Sequence, residues 1–538
     1  MNKELAFKIL QEVDYILKSL EIPYFFMAGT LLGCIREHDF IGHDEDIDLG
    51  IFIEDLDDRL VKALQYKGFS LDRVLGTKEQ GLEYSFLKEG VQVDLFFYYK
   101  EKDYVWHGSW YPYQGQKKLI KYAFDYFTIE TKNFLGENFP VPSNSEHYLE
   151  TVYGPTWRAK DTKWHWALSP KNVKDTPWLT TPKTICLGMI VKNEAHVIKE
   201  SLESVKSIID YWVIVDTGST DNTKEVIKET LKDIPGEIVD RPWVNFGVNR
   251  SQVAALCRDK ADYFLTLDAD EIVQLENFNK KLIADYYSVT VNDGYVYQFP
   301  VLLSNNLKWQ SIGVTHEYWD CDRQPVAERL QTLSIVHKCC GSRRPIKATD
   351  DLELLLQGIE QEPHNSRYMF YIAQTYKDRN EFEKAIYWYK ARIRQGGWTE
   401  EVFYSYYMIV LCAISLKLPF EEICEAMFQA YIFNPQSAEP IYEVLRYCRM
   451  NELYNIGYYL GRFAMKIPMP TNTSLFMRPC IYEYMIMDEL SICAYWIGHY
   501  QESLELSNQI LAEKKYPSYE QARLEKNREF SVEQLKEK

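Results

Sequence analysis

The sequence has no C-x-x-C pair of the kind that gathers zinc, no G-x-G-x-x-G turn, no apolar run of membrane-spanning length and no surplus of positive charge. Each absence excludes something. The eleven cysteines are scattered and odd in number, with one adjacent pair, Cys339 and Cys340. They read as reduced thiols, which points to a cytoplasmic rather than an oxidising compartment. Without the glycine turn a dinucleotide cofactor is disfavoured. A membrane span needs about 18 or more apolar residues in a row, and no such run occurs. The opening "MNKELAFKILQEVDYILKSL" spaces Leu5, Ile9, Val13, Ile16 and Leu20 along one helical face instead of forming the continuous apolar core of a signal peptide. The net charge of −17 argues against nucleic acid and anionic membrane as partners, since both select basic surfaces. Nucleotides stay open, because divalent cations bridge phosphates to acidic sites.

What is present is globular. Of the 538 residues, 46% are hydrophobic and 26% charged, and a chain of this length implies about three domains. Aromatics reach 15%, with 40 tyrosines, a composition that suits sugar- or base-handling sites and aromatic helix packing equally. Residues 1–176 mix helix and strand. The segment "KNVKDTPWLTTPK", with Pro177 and Pro182, reads as a linker. From Thr184 strand and helix patterns alternate ("TICLGMI", "HVIKESLESV", "YWVIVD", "TKEVIKETLK", "EIVD", "NRSQVAALCRDK", "YFLTLD"), which predicts a mostly parallel sheet covered by helices. After residue 346 only helical patterns remain. Ala373, Tyr376, Ala385 and Tyr389 fall at offsets of 3, 12 and 16, those of a tetratricopeptide unit. Pro363 and Pro435 stand 72 residues apart, close to two units. The alternative is a generic helical bundle.

Two acidic clusters carry the chemistry. In "FIGHDEDIDLGIF", residues 40–52, Asp46 and Asp48 have the i, i+2 spacing that turns both to one face of a strand, with Ile47 and Leu49 facing the core. Neighbouring carboxylates repel unless a cation sits between them, and hard oxygen ligands suit Mg²⁺ or Mn²⁺. "GVQVDLFFYY" offers Asp94 from an adjacent strand. Upstream, Gly29-Thr30 precedes a helix-like run, and a glycine before a helix N-terminus lets backbone close on phosphate. Gly-Thr before a helix, Asp-x-Asp on a strand and a lone Asp on the next are the nucleotidyltransferase arrangement; a solvated acidic turn is the alternative. Trp157, Trp164 and Trp166 read as core, with a place in a donor or acceptor pocket as the other option. In the second cluster, Asp216 closes "YWVIVD", Asp268 closes "YFLTLD", and Asp270 follows at i+2. Ligands of an open parallel sheet bind beyond the carboxyl ends of its strands. Capping of a helix by Thr220 or Asp221 is the bland alternative.

Both clusters carry resemblances. "GTLLGCIREHDFIGHDEDIDLGIFI" resembles the LicD/fukutin family, and the likeness continues through "LEYSF", "VDLFFYYKE", "YGPTW", "WHW" and "SPKNV", toward its fukutin members. The family implies transfer of a phospho-alcohol, ribitol phosphate or phosphocholine, from a cytidine-diphosphate donor. It implies that Gly29, Thr30 and Arg36 face phosphates and that Asp46, Asp48 and Asp94 hold the metal and serve catalysis. Asp44 and Glu45 depart from the family pattern and are doubtful ligands. "MIVKNEAHVIKESLESV", "VIVDTGSTDNT", "NFGVNRSQVAAL" and "LTLDADE" resemble family 2 glycosyltransferases of the GT-A fold, most of all the branch with tetratricopeptide repeats behind the catalytic domain. This likeness implies that Asp216 and Asp221 contact the nucleoside, that Asp268 touches the ribose, and that Asn249 and Arg250 lie nearby. It implies Asp270 as ligand of Mg²⁺ or Mn²⁺, with His316 a further metal ligand and Glu317, or Asp320, the catalytic base.

The expected architecture is therefore multidomain, α/β and α+β: a nucleotidyltransferase-like domain over 1–176, a GT-A (Rossmann-like) domain over 184–345 and a C-terminal α-helical repeat domain over 346–538. The expected function is a bifunctional glycan-modifying transferase using CDP-alcohol and nucleotide-sugar donors on a glycan or glycoprotein acceptor, with Mg²⁺ or Mn²⁺ in both catalytic domains. The repeats would hold the acceptor or a protein partner. Two alternatives remain: a glycosyltransferase whose first domain is phosphocholine-type or inert, and a non-catalytic scaffold.

Overall fold

The computed structural model describes residues 2–42, 44, 46–161, 164–292, 296–338, 340–341, 347–470 and 478–536. The chain forms two compact units: Met1–Trp243 with Asn249–Gln310 and Trp319–Ser342, and Val244–Val248 with Ser311–Tyr318 and Arg343–Lys538.

The first unit contains two large sheets, each with its own core. The strands of the first sheet are β1 (Phe25–Phe26), β2 (Asp46–Phe52), β3 (Ser70–Thr77), β4 (Gln80–Lys88), β5 (Val91–Lys100), β6 (Val105–Tyr113) and β7 (Gln116–Phe124). A separate hairpin, β8 (Ile129–Phe134) and β9 (Glu137–Pro142), follows, and β10 (Val173–Lys174) closes the sheet edge against β7. β5 is the hub. It runs parallel to β2, its first half pairs with β4 and its last residues pair with β6. Alternation along β2 buries Ile47, Leu49 and Ile51 completely, as the period of a half-buried strand requires. The opening helix Lys3–Ser19 buries Ile9, Val13 and Ile16 along the face its spacing predicts, with Leu5 and Leu20 partly buried. Residues 171–183 are not a free linker. They supply β10 and the turn of helix Pro177–Thr180, whose Trp178 packs 4.8 Å from the Tyr113 ring.

The second sheet has the strands β11 (Ile185–Val191), β12 (Tyr211–Asp216), β13 (Gly236–Asp240), β14 (Tyr263–Thr266), β15 (Glu271–Leu275), β16 (Tyr286–Asn292) and β17 (Val296–Ser304), and β20 (Ala327–His337) beyond two short strands, β18 (Gln310–Ile312) and β19 (Tyr318–Asp320). Its order is β13-β12-β11-β14-β17-β16-β20-β15. The first four are parallel, as the strand–helix alternation predicts. The rest of the sheet is mixed, with β17 antiparallel to β14 and β15 returning antiparallel to β20.

The second unit is helical from Lys347 onward among the described residues. Ala373 and Ala385 on helices Ser366–Asp378 and Phe382–Gln395 are fully buried, as is Tyr389, which is the close approach that the repeat spacing requires. Further helices follow to Gln521–Lys536, each packed on its neighbour in the chain, so this region is tetratricopeptide-like. Its most demanding interaction is Arg392, fully buried, which donates to Glu401 at 3.1 and 3.0 Å and to the carbonyls of Gly396 and Trp398. Among the described residues no helix is long and apolar enough to cross a membrane.

Removing one half of a buried ion pair leaves the other charge poorly compensated, and Glu401 would keep only Arg367 at 3.5 Å. Arg392→Met is therefore expected to destabilise the helical unit by about 3–5 kcal/mol, and Arg392→Met with Glu401→Leu by less, both read from urea denaturation followed by circular dichroism.

Candidate active sites

The first site grows out of strand register. β2 and β5 place Asp48 opposite Asp94 and Asp46 opposite Gln92. The alternation that buries the isoleucines turns Asp46 and Asp48 to the other face. One oxygen each of Asp46, Asp48 and Asp94 lies within 4.8 Å of the others, the one such cluster of three ligating residues among the described residues. The trio lines a cleft of about 740 Å³ that also receives Arg36, Arg73 and Trp157.

The neighbouring helical turn, Ala28–Leu32, holds these acids, and Gly29 and Thr30 lie within it rather than before it. The backbone N–H of Gly29 donates to Asp48 Oδ2 at 3.1 Å, and the N–H of Asp48 donates to Thr30 Oγ1 at 2.8 Å. Gly29 borders the cleft. A Cβ on it would stand 2.2 Å from Asp44 Oδ2, so Asp44 lies directly over its backbone. Gly33 opens a π-helical turn, Gly33–Glu37, and a Cβ there would meet the Asp39 carbonyl at 2.6 Å. Thr30 is buried and spends its hydroxyl on Asp48. Arg36 borders the cleft, donating to the Trp157 carbonyl at 3.2 Å and to Glu37 at 2.9 Å. Asp94 accepts from Ser85 Oγ, from Gln92 Nε2 at 2.8 Å and from Arg73 Nη2 at 3.3 Å. Glu45 lies outside the described residues.

The electrostatics of the trio favour a bound cation. Burial, then Asp44, pushes Asp46 up to about 7. Burial and the charges of Asp46, Asp44 and Asp94 push Asp48 well above the carboxylate range. Asp94 is raised by burial, against the pull of Ser85, Gln92 and Arg73. Three convergent oxygens that resist ionising together are a hard donor set that fits Mg²⁺ or Mn²⁺. Sequence reasoning missed Arg73 and Glu83. Arg73 bridges Asp94 and Glu83, and burial followed by Asp94 pushes Glu83 up to about 7. The sequence signal for Glu83 is the "LEYSF" motif, whose register opposite β5 needs the fold, and Arg73 on β3 lies outside it. The tryptophans also divide: Trp157 is core-buried, whereas Trp166 is 47% exposed, and all three line the cleft.

The second site lies at the carboxyl ends of β12 and β14. Asp216 is 1% exposed. Its Oδ1 accepts the N–H groups of Gly218 and Ser219 at 2.8 Å each, while its buried Oδ2 has no hydrogen-bond partner among the described residues. A buried, unsatisfied carboxylate oxygen is costly. Arg250 donates to Asp268 Oδ1 at 2.6 Å. Asp221 is taken up by capping, accepting from Thr223 N at 3.1 Å and Ala195 N at 3.2 Å. Asn249 is buried and donates to the Pro242 carbonyl at 3.1 Å, anchoring the chain ahead of its helix.

Asp270 differs from the first trio. Its Oδ2 accepts from the N–H groups of Cys340 at 2.9 Å and Gly341 at 2.8 Å, and His337 Nε2 stands at 3.3 Å. Burial works against ionisation, yet these donors win and hold Asp270 at about 2. The pairing of Glu271 with His337 across β15 and β20 brings this histidine in; the sequence shows only "SIVHK". His316 and Glu317 belong to the second unit, where the His316 ring stacks on Tyr371 at 3.9 Å and its carbonyl accepts from Arg367 at 2.9 Å. Asp270 Oδ2 is thus held by protein donors, and Asp270 is not part of a cluster of three ligating residues among the described residues.

Residues 21–144 match the family model described as LicD/FKTN/FKRP, nucleotidyltransferase domain, and residues 186–346 match Glycosyl transferase family 2. The ribitol-5-phosphate transferase FKTN of Homo sapiens is 36% identical over 170 residues, 31% of this chain and 36% of that protein. The SPbeta prophage-derived glycosyltransferase SunS of Bacillus subtilis is 25% identical over 262 residues, 45% of this chain and 60% of that protein. The chain thus spans about a third of the length of the FKTN relatives it matches. The solved structure of MamA protein aligns with 34% of the chain and 88% of its own at a TM-score of 0.27 and 13% identity, too remote to bear on function. The chain carries a LicD-type nucleotidyltransferase domain, a family 2 glycosyltransferase domain and a helical repeat region.

A carboxyl raised in the folded state helps stability below its unfolded value and loses that help as pH rises through its folded value. Asp46 sets that upper value at about 7. The metal-free protein is expected to melt at lower temperature as pH climbs from about 5 to about 8, Mn²⁺ to restore the loss, and Asp46→Asn to flatten the pH dependence. Thermal melts with and without Mn²⁺ check this.

Proposed function

We propose that this chain is a glycan-modifying transferase with two reaction centres: a metal-dependent phospho-alcohol transferase in the first cleft, drawing a ribitol phosphate-like group from a CDP donor, and a glycosyltransferase at the second sheet, drawing a sugar from a nucleotide sugar. The observation that carries the reading is the convergence of Asp46, Asp48 and Asp94 within 4.8 Å in a cleft that also holds Arg36 and Arg73.

In the first cleft Asp46, Asp48 and Asp94 would hold Mg²⁺ or Mn²⁺, which when bound supplies positive charge to the diphosphate and to the departing nucleotide. Arg36 and Arg73 add fixed cationic charge along the phosphates. The acceptor hydroxyl oxygen forms the new bond to the phosphorus that bears the alcohol, the bond from that phosphorus to the bridging oxygen breaks, and CMP leaves. The hydroxyl proton needs an acceptor with affinity near neutral pH. Glu83, at about 7, has that affinity. At the second site the unsatisfied Oδ2 of Asp216 takes a donor group of the nucleoside, and the Arg250–Asp268 pair borders the ribose and diphosphate. The helical region holds the acceptor or a protein partner. Its groove of about 530 Å³, with Arg446, Arg449, Arg478 and Arg523 beside Asp488 and Glu489, has the polar lining for that task.

The two centres are separable by mutation. Asp46→Ala with Asp48→Ala is expected to lower CMP release from CDP-ribitol by about a thousandfold or more, as for loss of a charge-stabilising group, and to leave sugar-nucleotide turnover intact. Asp268→Ala with Asp270→Ala is expected to do the reverse. Loss of both activities in either folded double variant counts against two independent centres.

A further inference from the structure

One wall of the first cleft is fastened to the second sheet. Trp164 and Trp166 line that cleft, and His165 stands between them. Its Nδ1 accepts the backbone N–H groups of Ala167 at 3.2 Å and Leu168 at 3.1 Å. A ring nitrogen accepting two hydrogens carries none of its own, so the proton of the neutral ring is on Nε2. That Nε2–H faces Glu328 Oε1 at 3.0 Å. The same carboxylate oxygen accepts the hydroxyl of Tyr111, a residue of β6. Glu328 itself belongs to β20 of the second sheet, and its side chain is 16% exposed.

Everything around Trp166 is thereby fixed. Its carbonyl accepts the Tyr122 hydroxyl at 3.0 Å, its ring lies 5.7 Å from that of Tyr111, and the residue before it is locked to Glu328. Yet Trp166 remains 47% exposed. An indole that large is ordinarily well buried. A ring immobilised through its neighbours and left half open inside a cleft is built to meet something flat or apolar.

We infer that Glu328 is a positioning residue of the first cleft. It holds His165 and Tyr111 in place and so sets Trp166 as a fixed surface against which a ring of the substrate packs. The inference rests on the phosphotransferase reading only for the identity of that substrate. It makes the second sheet a structural part of the first centre, a dependence that neither domain's own motifs contain.

The test uses full-length variants and CMP release from CDP-ribitol. Glu328→Ala is expected to raise KM for CDP-ribitol or for the acceptor about five- to tenfold, the loss of one to two hydrogen bonds, with kcat within about twofold because the carboxylate trio is untouched. Glu328→Gln keeps an acceptor oxygen for both donors and is expected to restore KM to within about twofold of the parent. A merely structural role would lower the melting temperature or kcat without this split between KM and kcat. An unchanged KM in Glu328→Ala, or a failure of Glu328→Gln to rescue, overturns the inference. If the parent protein releases no CMP, the phosphotransferase reading fails by itself, and positioning is read from acrylamide quenching. The Trp166 contribution, taken as the difference from Trp166→Phe, should be more accessible in Glu328→Ala than in the parent. Equal quenching overturns the inference.

Discussion

The repulsion among Asp46, Asp48 and Asp94 is the constraint around which the first domain is arranged. At a separation near that of this trio and an effective dielectric of about 20, two ionised carboxylates repel by roughly 3–4 kcal/mol. A hydrogen bond to a charged group returns about 1.5–3 kcal/mol. The N–H of Gly29, the Ser85 hydroxyl, the Gln92 amide and the Arg73 guanidinium therefore offset part of the repulsion among three such groups and leave the rest. Protons or a cation must supply the remainder, and the elevated Asp46 and Asp48 are the protonic answer. Close approach also sets the small residues: a Cβ on Gly33 would meet the Asp39 carbonyl, whereas on Gly29 it would displace the Asp44 carboxylate.

The second acidic cluster shows that i, i+2 acid spacing does not by itself decide electrostatic state. Asp46 and Asp48 lie side by side on a strand whose other face is core, so burial acts on both. Asp268 and Asp270 sit in the turn between β14 and β15, where backbone N–H groups and His337 can reach Asp270 and hold it at about 2. One pattern on a strand gives carboxylates raised toward neutrality; the same pattern in a turn gives one whose Oδ2 is held by protein donors and stays ionised. The contrast arises from the number of donors each backbone conformation presents.

Local patterns made much of this legible in the sequence. Alternation in "DIDLGIF" and "VQVDLFF" put the three aspartates on one face, and the small-residue offsets around Ala373 and Ala385 foretold paired helices. Features that depend on long-range pairing were closed. His337 reaches Asp270 because β15 turns back to pair with β20 at the sheet edge, and nothing near residue 337 encodes that partner. Arg73 reaches Asp94 through the register of β3, β4 and β5. The segment 171–183 looked like a linker because its prolines and threonines suit one, yet Val173 pairs with Tyr122 and Leu179 is buried. Trp166 looked like core because tryptophan ordinarily is. Only the cleft explains its exposure.

The two sheets of the first unit share more than a chain connection. Ile283, which precedes β16, is buried in the core of the first sheet, and Val326 packs against the cores of both. Lys183 donates to the Tyr113 hydroxyl at 3.1 Å. Arg323 holds Asp285 through two bonds of 2.7 Å just ahead of β16, which ties down the segment carrying Ile283. Cutting the chain between the sheets would expose Ile283 and Val326 to water and leave the Glu328 carboxylate without its two donors. An interface built from apolar contacts and a carboxylate held by neutral donors is not a hinge: moving it unpairs a semi-buried charge while breaking core contacts, and both penalties oppose the same motion.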